Sequence, residues 1–345
     1  MNKRYLSKNY KGLGSAGNKA KTDIETIMAK SGYKNTGLKQ SSYDNKILGF
    51  LVTLLGVLKT PFSLRKGDIL VLQYPLKKYY AFVCNMAHLR GAKVITIIHD
   101  LGAFRRKRLT IEQEIERLNH SDYIIAHNET MKQWLLQHNS KAQIGCLEIF
   151  DYLSLSKAVE KKVTTLPYAV TYAGALSYKK NAFLYKLGEY IHNYRFYLYG
   201  GGFDQDSALN KESFTYKGYV PSEELIMKAD GHFGLVWDGD SISTCSGVTG
   251  EYLMYNNPHK TSLYIRCLLP VIIWDKAALA PFIKKHNIGI CISSLEDMDK
   301  VLLSITEEEY KEMKKNISDI SDRLAEGWYV RKALNEACEY LEQRR

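Results

Sequence analysis

Two stretches of this 345-residue chain place reactive side chains where they can do chemistry. In the first, the apolar run Thr96-Ile97-Ile98 ends in His99-Asp100. A carboxylate or imidazole fixed at a strand terminus can take the proton of an attacking hydroxyl, the task of a general base. The plainer reading has Asp100 capping the next loop and His99 packed in the core. In the second, Asn257-Pro258-His259-Lys260-Thr261-Ser262-Leu263 reads as a loop opening a helix near Pro258, with a strand following at Leu269–Trp274. Lys260 then stands at a helix N-terminus, where amides and dipole already favour an anion. A leaving diphosphate gains negative charge as its bond breaks, and a lysine can stabilise that charge where other enzymes use a metal ion.

Weaker signals accompany these two. Gly12-Leu13-Gly14-Ser15-Ala16-Gly17-Asn18-Lys19, before a helix-like Thr22–Lys30, is either a loop whose amides approach a diphosphate or a plain turn. Tyr199 before Gly200, and Tyr219 after Gly218, offer rings for stacking on a base beside glycines that permit close approach. Arg105-Arg106-Lys107-Arg108 is a basic loop able to meet acceptor phosphate or an anionic membrane surface, though such loops are more often simply solvated. The run Ile47–Leu58 is expected to be a buried helix, with an apolar face for a lipid-linked acceptor as the alternative.

Short apolar, β-rich runs recur and alternate with helix-like stretches. They are Asp68–Gln73, Lys93–His99, Asp122–His127 and Gln143–Phe150, then Tyr168–Ala173, Arg195–Tyr199, His232–Trp237, Leu269–Trp274 and Ile288–Ile292. Continuous apolar strands of this kind predict parallel sheets covered on both faces, hence an α/β chain of two doubly wound domains. The polar stretch Ser154–Thr165 reads as the linker, giving domains at 1–158 and 166–325 and a terminal helix at 326–345 that can pack back on the first. Ligands in such sheets bind beyond the carboxyl ends of the strands, so the strand endings, Ala173-Gly174 among them, become candidate sites.

Charge is unevenly divided. Residues 1–160 hold 25 Lys and Arg against 13 Asp and Glu, a surplus of 12, whereas residues 161–345 hold 23 against 24. The first half therefore expects an anionic partner. The six cysteines are far apart, without metal-ligand spacing, and read as reduced thiols. The polar amino-terminal stretch does not read as a signal peptide, and the longest apolar run is about half of a spanning helix. A cytoplasmic protein, either soluble or peripheral on the inner face of the cell membrane, is the expectation.

The motifs GSAGNKAKTDIE (14–25), GDILVLQYP (67–75), IIHDLGAFR (97–105) and SDYIIAHNETMKQWL (121–135) resemble those of bacterial β-galactofuranosyltransferases and of the related glucosyltransferases that extend adhesin glycans. YAGALSYKKNAFLYKL (172–187), HFGLVWDG (232–239) and HKTSLYIRCLLPVI (259–272) extend the resemblance over nearly the whole chain in order. It implies a GT-B fold, a UDP-sugar donor and no metal. It places the UDP site on the Ser15 loop, Tyr178-Lys179, Tyr219 and Pro258–Leu263 with Lys260. Retaining enzymes of this fold carry a glutamate seven residues before the proline that leads into their strand. Here that position is Leu263, and Leu268-Leu269 replaces the expected glycine.

The expectation is thus an inverting UDP-hexosyltransferase with a first-domain base, Asp100 ahead of His99. Galactofuranose is the first choice of sugar and glucose the second, passed to a lipid- or protein-linked surface glycan, with a homo-oligomer allowed. A retaining transferase of the same fold is the rival enzyme. A basic protein that binds membrane or nucleic acid without catalysis is the rival of another class, and no nucleic-acid-binding module is recognisable.

Overall fold

The computed structural model describes residues 2–11, 16–76, 79–105, 109–159 and 166–344. Two units divide the chain: Met1–Asp151 with Gly327–Arg345, and Tyr152–Glu326. Ser15 and Arg106-Lys107-Arg108 lie outside the described residues, as does the end of the expected linker. The division falls at Asp151/Tyr152 rather than inside that polar stretch.

The first unit is built on a six-stranded parallel sheet. Its strands are β1 (Lys3–Tyr5), β2 (Lys34–Asn35), β3 (Ile69–Tyr74), β4 (Lys93–Ile98), β5 (Tyr123–Ala126) and β6 (Gln143–Cys146), in the order β2-β1-β3-β4-β5-β6. β3 and β5 are buried along their whole length, as strands covered by helices on both faces must be. The sequence pattern misses β1 and β2, which are too short and too charged to register as apolar runs. β6 also ends earlier than expected, since Glu148 turns the chain with φ +71°.

The terminal helix Trp328–Gln343 belongs to this first unit. The Asp151 carboxylate caps it, accepting the amides of Tyr329 at 3.2 Å and Val330 at 2.7 Å. Gly327 opens the helix at φ +75°, and a Cβ there would come within 2.5 Å of Ile27, so this position needs glycine.

The run expected to be a buried helix is a helix, Lys46–Ser63, but half of its residues are exposed. Asn45 caps it by accepting the amides of Ile47 and Leu48. Only Gly56, Val57 and Thr60 are buried along it, because contact is made through the side where Gly56 meets the backbone of Gly37 and Leu38. The leucines fall on the other side.

The second unit repeats the plan with β7 (Ala169–Ala173), β8 (Arg195–Tyr199), β9 (Phe214–Gly218), β10 (Phe233–Val236), β11 (Val271–Trp274) and β12 (Gly289–Ile292). All are parallel, in the order β12-β11-β10-β7-β8-β9. β9 escaped the sequence pattern because an edge strand buries only alternate residues. In each sheet the order reverses once, between β1 and β3 and between β7 and β10. The loops leaving the two strands at such a reversal part in opposite directions and open a crevice, where ligands of this sheet type bind.

Candidate active site

At the reversal of the second sheet stands Lys260. It is the second residue of the helix His259–Arg266, which Pro258 opens without a side-chain cap. Its Nζ donates to Asp238 Oδ1 at 2.9 Å, to the Tyr172 hydroxyl at 2.9 Å and to the Trp237 carbonyl at 3.4 Å. It also lies 4.3 Å from the centre of the Tyr172 ring. Tyr172 donates in turn to Asp238 at 3.0 Å. Tyr172 is the penultimate residue of β7, and Asp238 follows β10 by two positions. The two strands flanking the crevice therefore supply both partners of the lysine.

Burial pulls the Lys260 ammonium below its ordinary pKa; Asp238 pulls it up, and the positive charge of nearby Lys180 lowers it further. Burial, with the Asp238 charge behind it, raises the Tyr172 hydroxyl well above its usual value. Lys260, paired with one carboxylate, thus stands within the field of a second lysine, an arrangement suited to receiving an anion.

The other expected donor-side residues fall unequally around this point. Asn257, Pro258, Thr261 and Ser262 are buried, while His259 stacks on Tyr152 with ring centres 4.7 Å apart. Leu263 is half-buried. The Thr261 hydroxyl and the Asn256 side-chain carbonyl are buried without a hydrogen-bond partner. Gly174, Tyr178 and Lys179 lie exposed on the loop after β7, with Tyr178 edge-on to Tyr185 at 5.2 Å. Tyr219 is exposed just beyond β9.

The loops after β7, β8 and β9 are stitched together: Leu176 N–H donates to Gly201 at 3.0 Å and Gly200 N–H to Gly218 at 2.8 Å. Gly200 sits at φ +143°, and a Cβ there would strike the Gly174 carbonyl at 1.8 Å, so the crossing of these loops requires glycine.

Tyr199 departs from expectation. Its ring is buried, and its hydroxyl donates to Asp230 at 3.0 Å while accepting the Asp230 amide at 3.1 Å. A ring held inside the unit is not a platform for a base. Of the expected glycine-rich loop, Gly17 has open space around the position of a Cβ. It begins the helix Ala16–Lys30 together with Ala16.

At the reversal of the first sheet a hydrogen-bonded chain runs from His99 into the interior. Gln73 Nε2 donates to the Lys21 carbonyl at 3.2 Å and to the Tyr10 hydroxyl at 3.3 Å. A carbonyl can only accept, so the amide nitrogen faces Lys21 and Gln73 Oε1 faces His99, 2.7 Å from its Nε2. His99 therefore carries its hydrogen on Nε2. Beyond Gln73, Tyr10 donates to the buried Glu25 at 2.5 Å, which also accepts from Ser7 at 2.6 Å and Gln40 at 2.8 Å. Burial raises the Glu25 carboxyl, and these donors, with Lys8, oppose it.

His99 is 9% exposed and its ring stacks on Phe150, whereas Asp100, one residue further along, is half-buried. His127 is interior: its Nε2 donates to the Ile98 carbonyl at 3.0 Å, and burial pulls its pKa down to about 4 despite the Asp100 charge. Beneath the loop that follows β4, the fully buried Glu114 accepts the amides of Gly102 at 2.7 Å and Ala103 at 2.6 Å and the Tyr74 hydroxyl at 2.8 Å. That clamp fixes the backbone on which Asp100 stands.

Tyr172, Gln73 and Glu114 are not singled out by the sequence, where Asp238 reads as a strand end opening a polar loop and Lys180 as a cation beside Lys179. The signal for Gln73 was present: a polar residue inside the otherwise apolar Ile69–Tyr74. Among the described residues no group of His, Cys, Asp and Glu is arranged to hold a metal ion.

Comparison with known proteins agrees with this architecture. The family described as "Glucosyltransferase 3-like" matches through its N-terminal domain at residues 3–149 and its C-terminal domain at residues 170–337. The chain is 34% identical over 332 residues to the β-1,6-galactofuranosyltransferase WbbI of Escherichia coli (strain K12), covering 95% of this chain and 96% of that protein. It is 26% identical to glucosyltransferase 3 of Streptococcus gordonii, over 80% of each. The solved structure of the lipopolysaccharide outer core galactosyltransferase WaaB in its apo form matches with a TM-score of 0.61 at 14% identity, covering 99% of this chain and all of that one. That likeness shows the fold, two parallel-sheet α/β units of the GT-B type. The chain belongs to the glucosyltransferase 3-like family and is a glycosyltransferase of the branch that holds the bacterial β-galactofuranosyltransferases.

Proposed function

We propose that the enzyme transfers a hexose from a UDP-sugar to a bacterial surface glycan with inversion and without a metal ion, acting in the cytoplasm. Galactofuranose is the favoured sugar, from the likeness to a galactofuranosyltransferase over nearly the full length, and glucose is the second. The observation that carries this reading is Lys260 between Asp238 and Tyr172, with Lys180 close by, at the reversal of the second sheet. A diphosphate entering there meets two cations and a helix N-terminus, which neutralise the charge that grows on UDP as the C1–O bond breaks. Tyr178, Lys179 and Tyr219 lie exposed at the same edge of the sheet and are assigned to the nucleotide.

Asp100 is assigned as the base. It takes the proton of the acceptor hydroxyl while that oxygen bonds to C1, and UDP leaves from the opposite face. His99 is the weaker candidate, since its ring is buried against Phe150 and tied to Gln73. The test is the anomeric configuration of the product, read by NMR from a reaction run in EDTA. Inverted product at an undiminished rate supports the reading. Retained configuration, or a rate restored only by Mn²⁺, overturns it.

A further inference from the structure

The helix Lys46–Ser63 carries an apolar stripe at Ile47, Leu51, Leu55, Leu58 and Phe62. The spacing of four, four, three and four residues sets all five on one face. Ile47 is 71% exposed, Leu55 55% and Phe62 86%. Phe82, on the neighbouring helix Tyr80–Leu89, is exposed as well. Isolated exposed leucines are ordinary, but a stripe along the whole of an 18-residue helix marks a surface that something covers.

The charges around the stripe say what covers it. From Lys46 to Lys66 the chain holds Lys46, Lys59, Arg65 and Lys66, all exposed, and no Asp or Glu. A second copy laid face to face would bring two such cationic sets together with no carboxylate on the helix to pair them. An anionic bilayer supplies both an apolar phase for the stripe and negative charge for its flanks.

The helix is long and apolar enough to cross a membrane by composition. Its other side, however, is packed on its own unit: Gly56 lies against Gly37 and Leu38, and the buried Thr60 hydroxyl is 3.2 Å from that of Thr36. A helix held along one side cannot be surrounded by lipid, so the geometry is that of a helix lying in the plane of the interface.

We propose that the face Ile47-Leu51-Leu55-Leu58-Phe62 inserts into the headgroup region of an anionic lipid bilayer, with the flanking Lys46, Arg65 and Lys66 pairing with lipid phosphates, while Lys59 donates to the Gly37 carbonyl on the packed side. This surface lies apart from the Arg105–Arg108 segment that the sequence pointed to, and it stands whether or not the transfer reaction is assigned correctly.

Flotation of the full chain with phosphatidylcholine vesicles, with and without phosphatidylglycerol, tests it beside the double variant Leu51→Glu/Leu55→Glu. Both positions are exposed, so the fold is expected to persist, checked by unchanged thermal unfolding. The wild type should float with anionic vesicles and at least about tenfold less with neutral ones, and salt should weaken its binding. The double variant should stay at the bottom of the gradient. A wild type that floats with neither vesicle overturns the proposal, as does a variant that floats undiminished. Light scattering decides the remaining case: a wild-type dimer that the two glutamates convert to a monomer means that a second copy covers this face.

Discussion

Lys260 Nζ lies 2.9 Å from Asp238 Oδ1, joining residues 22 positions apart at the reversal of the second sheet. The pair is mostly buried, so each member would be costly to leave alone. It holds the ammonium at the crevice before any donor arrives, with a carboxylate that an entering diphosphate must compete against.

Removing the lysine should therefore damage both chemistry and fold. Lys260→Ala is expected to lower turnover by about 2–4 kcal/mol of transition-state stabilisation. It should also lower the thermal midpoint, because Asp238 loses its ion pair and keeps the Tyr172 hydroxyl as a donor. Initial rates and a melting curve on the same preparation check the two effects together.

Neutralising the partner should act in the opposite direction on binding. Asp238→Asn keeps the shape, removes the competing negative charge and leaves Lys260 fully available to phosphate. UDP should bind several-fold more tightly to this variant while its melting temperature falls. Weaker UDP binding would mean that Asp238 serves to aim Lys260 at the ligand and does not compete with it.

At the end of β4, exposure separates the two candidate bases. Asp100→Asn should reduce turnover by a factor of about 10²–10⁴, with UDP affinity and melting temperature nearly unchanged. His99→Gln should cost stability more than turnover, since it breaks the link to Gln73 and the stack on Phe150. If the kinetic losses are found the other way round, the proton goes to His99. Its acceptor nitrogen is then Nδ1, because Nε2 carries the hydrogen.

Stability should depend on pH through Asp151. Burial pushes this carboxyl up to about 7, although the Val330 and Tyr329 amides and the Arg331 charge pull it down. A carboxyl whose folded value exceeds its unfolded one, 3.8, binds more protons when folded. Its contribution to stability is therefore largest at low pH, falls as pH rises from about 4 to about 7, and is flat above. Asp151→Asn removes that slope, so the urea midpoint of the variant should gain on the wild type between pH 5 and pH 8. Parallel midpoints at both values would mean that Asp151 is ionised throughout.

Much of the fold could be read from the chain because a parallel strand covered on both faces must be apolar at every position. β3, β4, β5, β7, β8, β10, β11 and β12 each satisfy that condition closely enough to stand out. β1 and β2 do not, being two or three residues long and rich in charge, and β9 does not, since Thr215 and Lys217 interrupt it as exposed polar residues. The place of Lys260 at a helix start was legible from Pro258 and the run that follows it. Its partner was not. Asp238-Gly239-Asp240 looks like any polar loop, and only the order of the strands brings Asp238 to the lysine.

The helix Lys46–Ser63 shows the other limit. Its apolar content announced burial, but composition says nothing of which side a helix packs with. Gly49, Gly56 and Thr60 form a narrow flat strip, and it is the strip, not the row of leucines, that meets the unit. Gln73 was missed for a related reason. A single amide in an apolar strand carries no periodicity, and its worth lies in contacts to Tyr10, Lys21 and His99 that the chain order does not reveal.

Calorimetric titration of UDP, UDP-glucose and UDP-galactofuranose into the wild type and into Lys260→Ala tests the donor assignment most directly. The wild type should bind UDP and at least one of the two sugar nucleotides in the presence of EDTA, and the lysine variant should bind each of them at least about tenfold more weakly. Failure of the wild type to bind any uridine nucleotide, or equal affinity in the two proteins, would contradict the placement of the donor at Lys260.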